Sequence, residues 1–253
     1  MTSPAPDDWN RHWEEYSQSA EENPAQNYRR DLIFSLLGLR DSGEGARVLD
    51  IGSGQGDLSA AILTRFPSTQ VLGLELSETG VKISSRKVPE ARFVQRDLLD
   101  GTEPSGELRG WATHAVCSEV IEHVDDPSRL LKNARAYIAP GGLLVVTAPG
   151  GPMSAFDKHI GHRKHWRPDD VAAVLKNAGY ESVRATGAGF PFFNLYRCVV
   201  ILRGRKLIQD VATAPAGRAS GSARAAMAVF HWLIRPALNS TRRGWQMVAT
   251  ARA

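Results

Sequence analysis

The stretch VLDIGSGQGDLS, residues 48–59, constrains the fold more than any other part of the chain. An apolar run ends at Asp50, meets Gly52, Gly54 and Gly56, and passes into a helical pattern. A chain that turns from strand to helix through glycines leaves room for a ligand against its backbone, with helix N–H groups aimed at it. Such a turn belongs at the carboxyl edge of a sheet. From about Asp31 onward short apolar runs alternate with amphipathic segments, the pattern of a parallel sheet covered by helices, an α/β architecture.

Strands are predicted at 46–51, 69–76, 91–97, 113–118 and 142–148, with helices at 58–66, 77–87 and 127–138 between them. Asp126 followed by Pro127 supplies an N-cap and a first-turn proline, and Pro140-Gly141-Gly142 is expected to end that helix. Pro168, with Asp169 and Asp170 behind it, opens a further helix that Gly179 closes. Residues 180–186 and 244–253 read as sixth and seventh strands, which leaves 187–243 as an insertion between them.

Asp50, Glu75 and Asp97 close the first three strands. A dinucleotide fingerprint needs a glycine where this chain has Asp57, so NAD is disfavoured. Glu75 lies where a carboxylate can accept hydrogen bonds from both hydroxyls of a ribose, and Asp97, with Leu98 beside it, where an adenine amine would be met. Together with CSEVIEHV (117–124) and PGGLLVVTAP (140–149), these motifs resemble the class I S-adenosylmethionine-dependent methyltransferases. The resemblance covers residues 28–186 and the last strand. It implies a doubly wound, Rossmann-like seven-stranded sheet in the order 3-2-1-4-5-7-6, with the seventh strand antiparallel. It also implies that Gly52, Ser53 and Gly54 lie near the methionine part of the cofactor, that Glu75 holds the ribose, and that Asp97 and Leu98 meet the adenine, with Asp50, Gly56 and Leu76 also in the cofactor site. Asn27, Tyr28 and Arg30 are expected near the cofactor's carboxylate, in a segment 1–30 that covers the site, with 31–186 and 244–253 forming the core.

The end of the fourth strand carries EVIEHVDDP, residues 119–127. Ligands collect at the carboxyl ends of such strands, so Glu119 and His123 are expected to face the methyl group, with His123 placed as a general base. If the turn is helical, Glu119, Glu122 and His123 fall at i, i+3 and i+4 on one face, and two carboxylates with an imidazole could hold Mg²⁺ or Mn²⁺. Two metal-dependent branches of the resembled family, the ubiquinone-pathway O-methyltransferases and the small-RNA 3′-terminal 2′-O-methyltransferases, share the ExxEH segment. The second adds a histidine in an HxxxW context, which here selects His162 in HRKHW as a fourth ligand. A lone catalytic histidine and a metal ligand set are both compatible with these residues. His159 and His165 read equally well as part of a basic loop that meets an anionic group.

Charge is unevenly spread. The chain carries +4 overall, but residues 197–253 hold 10 Lys/Arg against 1 Asp/Glu. The insertion opens with GFPFFNLYRCVVILRGRKL (189–207), apolar and then basic through Arg203, Arg205 and Lys206, before a small-residue stretch at 214–226. Its segment 190–206 fits a cap over an apolar acceptor, a peripheral contact with an anionic membrane, or plain packing on the sheet edge. Two distant cysteines and a polar, acidic N-terminus lead to the expectation of a cytoplasmic protein. The expected activity is methylation of an oxygen on a small or amphipathic metabolite. RNA ribose 2′-O-methylation and a non-catalytic cofactor-binding protein are the alternatives, and nucleic acid is disfavoured because aromatics and lysines are not interleaved.

Overall fold

The computed structural model describes residues 9, 10, 13, 24–39, 45–213, 229–230, 232–234 and 237–253, with 205–213 as backbone. Seven strands form one sheet in the order β3-β2-β1-β4-β5-β7-β6, the order that the resemblance implied. They are β1 (Arg47–Ile51), β2 (Gln70–Glu75), β3 (Arg92–Gln95), β4 (Ala112–Ser118), β5 (Ile138–Pro149), β6 (Glu181–Ala188) and β7 (Gln246–Arg252). β1 to β5 pair in parallel, while β7 runs antiparallel to both β5 and β6.

The helices are α1 (Pro24–Leu37), α2 (Asp57–Arg65), α3 (Glu78–Lys87), α4 (Pro127–Arg135), α5 (Ala155–His159), α6 (Pro168–Asn177) and α7 (Phe192–Thr213). Their starts follow local chemistry. Ser77 caps α3 by accepting from the Gly80 amide at 3.0 Å, and Asp126 caps α4 by accepting from the Arg129 amide at 2.9 Å. Gly179, at φ +84°, follows the end of α6 in the left-handed conformation that stops a helix. The apolar faces meet in a core of fully buried side chains that includes Leu49, Ile51, Leu72, Leu131 and Leu144.

Several expected boundaries move. Residues 136–138 are not helical, because Ile138 pairs with Ala112 at the start of β5, so α4 stops at Arg135. Pro140-Gly141-Gly142 therefore lies inside β5, where the register with β4 shifts and Gly141 takes φ +75°. At the other end, α1 runs across the expected division at residue 30. One stripe of α1 (Ala25, Tyr28, Leu32) packs with Phe193 and Val248, and another (Ile33, Leu37) with Val48 and Val116, so α1 belongs to the core.

The insertion leaves β6 at Ala188, and bridges Gly187–Thr241 and Phe190–Leu238 return the chain toward β7. Phe193, only 2% exposed, seats α7 against Tyr28, with ring centroids 5.4 Å apart. The small-residue stretch 214–226 lies outside the described residues. Phe193→Ala should cost about 3–5 kcal/mol in denaturant unfolding, whereas Leu195→Ala, at an exposed position, should stay within about 0.5 kcal/mol. Equal effects would contradict the seating of α7 through Phe193.

Candidate active site

The turn after β1 folds back over β2. The amides of Gly52 and Ser53 donate to the Leu74 carbonyl at 2.8 and 3.1 Å. The Gly54 amide donates to Glu75 Oε2 at 2.7 Å and the Ser77 amide to Oε1 at 2.9 Å. Gly52 has φ +68° and a Cβ there would stand 2.6 Å from the Val120 side chain; Gly54 has φ +54° and a Cβ would stand 2.6 Å from the Trp13 ring. Both positions thus require glycine for conformation and for space. The Ser53 hydroxyl is buried and makes no hydrogen bond with the described residues.

Glu75 is 6% exposed, and burial raises its pKa against the bonds from the Ser77 and Gly54 amides. Asp50 accepts from the Ser59 hydroxyl at 2.7 Å. Burial pushes its carboxyl from 3.8 up to about 6, the Ser59 bond opposes the rise, and the charges of Glu75 and Asp57 add to it. Leu76 is exposed, Leu98 is buried, and Asp97 lies beyond the end of β3 on an exposed turn, accepting from the Leu99 amide at 2.7 Å.

An N-terminal segment crosses this edge. Trp13 stands over Gly54 and Gly80, while Asn10 accepts from the Ser77 hydroxyl at 2.7 Å and the Thr79 amide at 3.2 Å. Trp9 meets the His123 ring edge-on, with centroids 4.8 Å apart. Two tryptophans in a polar stretch, WNRHW, were the sequence signal for these contacts. Tyr28 donates its hydroxyl to Asn239 at 2.7 Å, and burial raises its pKa. It is Arg29, next to the expected Arg30, that reaches the rim, 3.6 Å from Glu119 Oε2.

At the end of β4 the structure separates residues that helical spacing would have stacked. The Glu119 amide still donates to Thr147 in β5, at 3.0 Å, but its φ of +56° reverses the chain. Only Ile121–His123 form a 3₁₀ turn. Glu119 is therefore not in the group that Glu122 and His123 form with His162, although its charge reaches Glu122, and its carboxylate is taken by Gln246 Nε2 at 2.9 Å and Thr147 Oγ1 at 3.3 Å. Neither Gln246 nor Thr147 carries a recognisable motif, and both are buried.

Glu122, His123 and His162 do come together: a ligand atom from each lies within 4.8 Å of the others. Glu122 is fully buried, and neither carboxylate oxygen has a hydrogen-bond partner among the described residues. Burial, and then the charge of Glu119, raises its pKa well above the usual range. The His123 and His162 rings are 4.7 Å apart and nearly perpendicular. A second group, Asp157, His162 and His165, shares His162. Burial opposes ionisation of Asp157, but the bond and charge of Arg197, with further bonds from Ser154, hold its carboxyl below the usual range. Burial lowers His162 to about 4 and also lowers His165, which favours the neutral form of each ring. His159 is exposed and outside both groups; Trp166 is buried in the core.

Asp50 gives a pH signature. Its folded pKa lies above its unfolded one, so its stabilising contribution is full below about pH 4 and is lost as pH rises through about 6. Asp50→Asn, a neutral isostere, should gain stability relative to the parent as pH rises from about 4 to about 6, by the order of 1.4 kcal/mol per unit of pKa shift. A difference in guanidinium unfolding that does not change with pH would contradict this.

The comparisons agree with this architecture. The family model described as a methyltransferase domain matches residues 21–185. The ubiquinone biosynthesis O-methyltransferase of Bordetella avium (strain 197N) is 28% identical over 203 residues, 74% of this chain and 82% of that one. The trans-aconitate 2-methyltransferase of Acidovorax sp. (strain JS42) is 28% identical over 141 residues, 54% of this chain and 53% of that one. The chain spans about half the length of the trans-aconitate 2-methyltransferases that it matches. Among solved structures, phosphoethanolamine N-methyltransferase 2 of Haemonchus contortus, bound to S-adenosyl-L-methionine, superposes with a TM-score of 0.58 at 16% identity. That alignment covers 88% of this chain and 52% of that one, and at such identity it speaks for the fold.

Proposed function

The chain belongs to the class I S-adenosylmethionine-dependent methyltransferase family, and we propose that it transfers the methyl group of that cofactor to a hydroxyl of a small or amphipathic metabolite. The relatives named for trans-aconitate and for ubiquinone biosynthesis support a small-molecule acceptor. In this reading Gly52, Ser53 and Gly54 face the methionine part of the cofactor, and the unpartnered Ser53 hydroxyl is free to bond it. Glu75 takes the ribose hydroxyls, while Leu76, Asp97 and Leu98 frame the adenine.

The observation that carries the chemistry is the buried, unpartnered carboxylate of Glu122 beside two histidine rings. A carboxylate left that way costs several kcal/mol unless it is protonated or meets a cation. Glu122, His123 and His162 offer one hard oxygen and two imidazole nitrogens, a donor set that fits Mn²⁺ or Mg²⁺. A divalent cation bound there would act as a Lewis acid on the acceptor oxygen and lower its pKa. With no cation bound, His123, between Trp9 and His162, would itself receive the acceptor's proton. Glu119, fixed by Gln246 and Thr147, faces the methyl end without belonging to the ligand set.

Two experiments test this. Calorimetry with S-adenosylhomocysteine should show binding that Glu75→Ala weakens at least tenfold; no binding by the parent chain would sink the cofactor assignment. With a catechol-type acceptor, EDTA should abolish methyl transfer, Mn²⁺ or Mg²⁺ should restore it, and Glu122→Ala and His162→Ala should behave as the EDTA-treated enzyme does. Full activity in EDTA would leave His123 as a simple base.

An amphipathic acceptor also suits the insertion. Leu195, Val199 and Leu202 lie exposed at i, i+4 and i+7 on α7, Trp232 is exposed beyond them, and Arg203 flanks the stripe. Exposed apolar residues next to basic charge favour contact with an anionic bilayer surface. The side chains of Arg205 and Lys206 lie outside the described residues, and no helix among those described is long and apolar enough to cross a membrane. Sedimentation with phosphatidylserine vesicles should be lost in Leu195→Glu/Leu202→Glu; equal sedimentation of both proteins would leave α7 as a cap.

A further inference from the structure

The two overlapping acid–histidine groups are not equivalent. In the second, Asp157 and His165 already have hydrogen-bond partners. Asp157 closes a capping box, accepting from the Ser154 amide at 2.7 Å while its own amide donates to Ser154 Oγ at 3.1 Å. It also accepts from Arg197 of α7 at 2.7 Å. His165 Nδ1 lies 3.1 Å from the Gly151 carbonyl, and His165 Nε2 lies 3.2 Å from His162 Nδ1. Its next approach, to Asp157 Oδ2, is 3.7 Å, outside hydrogen-bond reach. The first group has the opposite character, with both oxygens of Glu122 unbonded.

These contacts fix proton positions one after another. A carbonyl only accepts, so His165 must carry its proton on Nδ1. In the neutral ring Nε2 is then a lone pair, and the only hydrogen bond it can make with His162 is to accept one from Nδ1–H. His162 in turn keeps Nε2 bare. We propose that His165 is a positioning residue: it locks His162 in the Nδ1-protonated tautomer, so that the Nε2 lone pair is presented to Glu122 and His123. The inference rests on the metal reading of that group, and it assigns the two groups different duties. Glu122, His123 and His162 bind the cation; His165 and the Gly151 carbonyl orient the His162 ring, and the Asp157 carbonyl accepts from the His162 amide at 2.9 Å. Histidine ligands are commonly oriented through their second nitrogen in this way, and removing such a support typically weakens metal binding 10- to 100-fold. Arg197, by holding Asp157, ties this support to the insertion helix α7.

The test uses the full chain labelled with ¹⁵N-histidine, with His162→Ala to assign the ring. Two-bond ¹H–¹⁵N correlation should show His162 protonated on Nδ1 and bare on Nε2. His165→Phe should shift His162 toward the Nε2-protonated form and weaken Mn²⁺ binding, followed by the paramagnetic resonance of the free ion, about 10- to 100-fold. His165→Gln, whose amide can donate to Gly151 and accept from His162, should retain both the tautomer and the affinity. His162 protonated on Nε2 in the parent chain, a doubly protonated His165, or a His165→Phe protein with unchanged tautomer and affinity would each overturn the inference. If the parent chain shows the tautomer yet binds no Mn²⁺, the relay stands and the metal reading of Glu122 fails.

Discussion

Between β1 and β4 the sheet changes direction: the chain leaves β1 toward β2 on one side and leaves β4 toward β5 on the other. Two connections that part in this way open a crevice at the carboxyl edge, between the turns that follow β1 and β4. The glycine turn and Glu75 form one wall, and the Glu119–His123 turn forms the other. Their closeness is itself tight, since the Val120 side chain fills the space that a Cβ on Gly52 would need. A larger residue at position 52 would therefore disturb both walls together.

The acids along this edge have the same chemistry and different environments, and the environment decides their state. Asp157 is buried but has Arg197 and the Ser154 amide, which hold its carboxyl below the usual range. Glu122 is buried without a bond and with Glu119 nearby, which pushes its pKa well up. Glu119 has Arg29, Gln246 and Thr147 around it. A pattern of one unsatisfied carboxylate among well-satisfied neighbours is what distinguishes a binding group from supporting ones, because an unbonded buried oxygen has a reason to exist only when something else meets it.

The sheet, its order and the glycine turn were legible in the sequence because they depend on local pattern: apolar runs, glycines at turns, and caps such as Asp126. The helix at 127–138 was overextended because Ile138 answers to a strand partner, Ala112, that periodicity does not reveal. At the site, Glu122, His123 and His162 were legible from spacing and the HRKHW context, and they do meet. The expected place of Glu119 beside them depended on one dihedral angle, its φ of +56°, which no spacing rule encodes. Gln246, Thr147, Arg29 and Trp13 were hidden for a different reason, since each acts through a tertiary contact made from a distant part of the chain. His165 was visible as a basic residue, but its duty emerges only with the Gly151 carbonyl on one side and His162 on the other.

The central claim is that the rim of β4 is a cation site built on Glu122, His123 and His162. Crystals grown with S-adenosylhomocysteine and Mn²⁺, measured at the manganese absorption edge, test it most directly. The account predicts one anomalous peak in coordination range of a Glu122 oxygen and of a ring nitrogen from each of His123 and His162, with His165 outside that range. No peak at the rim, or a peak on Asp157 and His165, would contradict it.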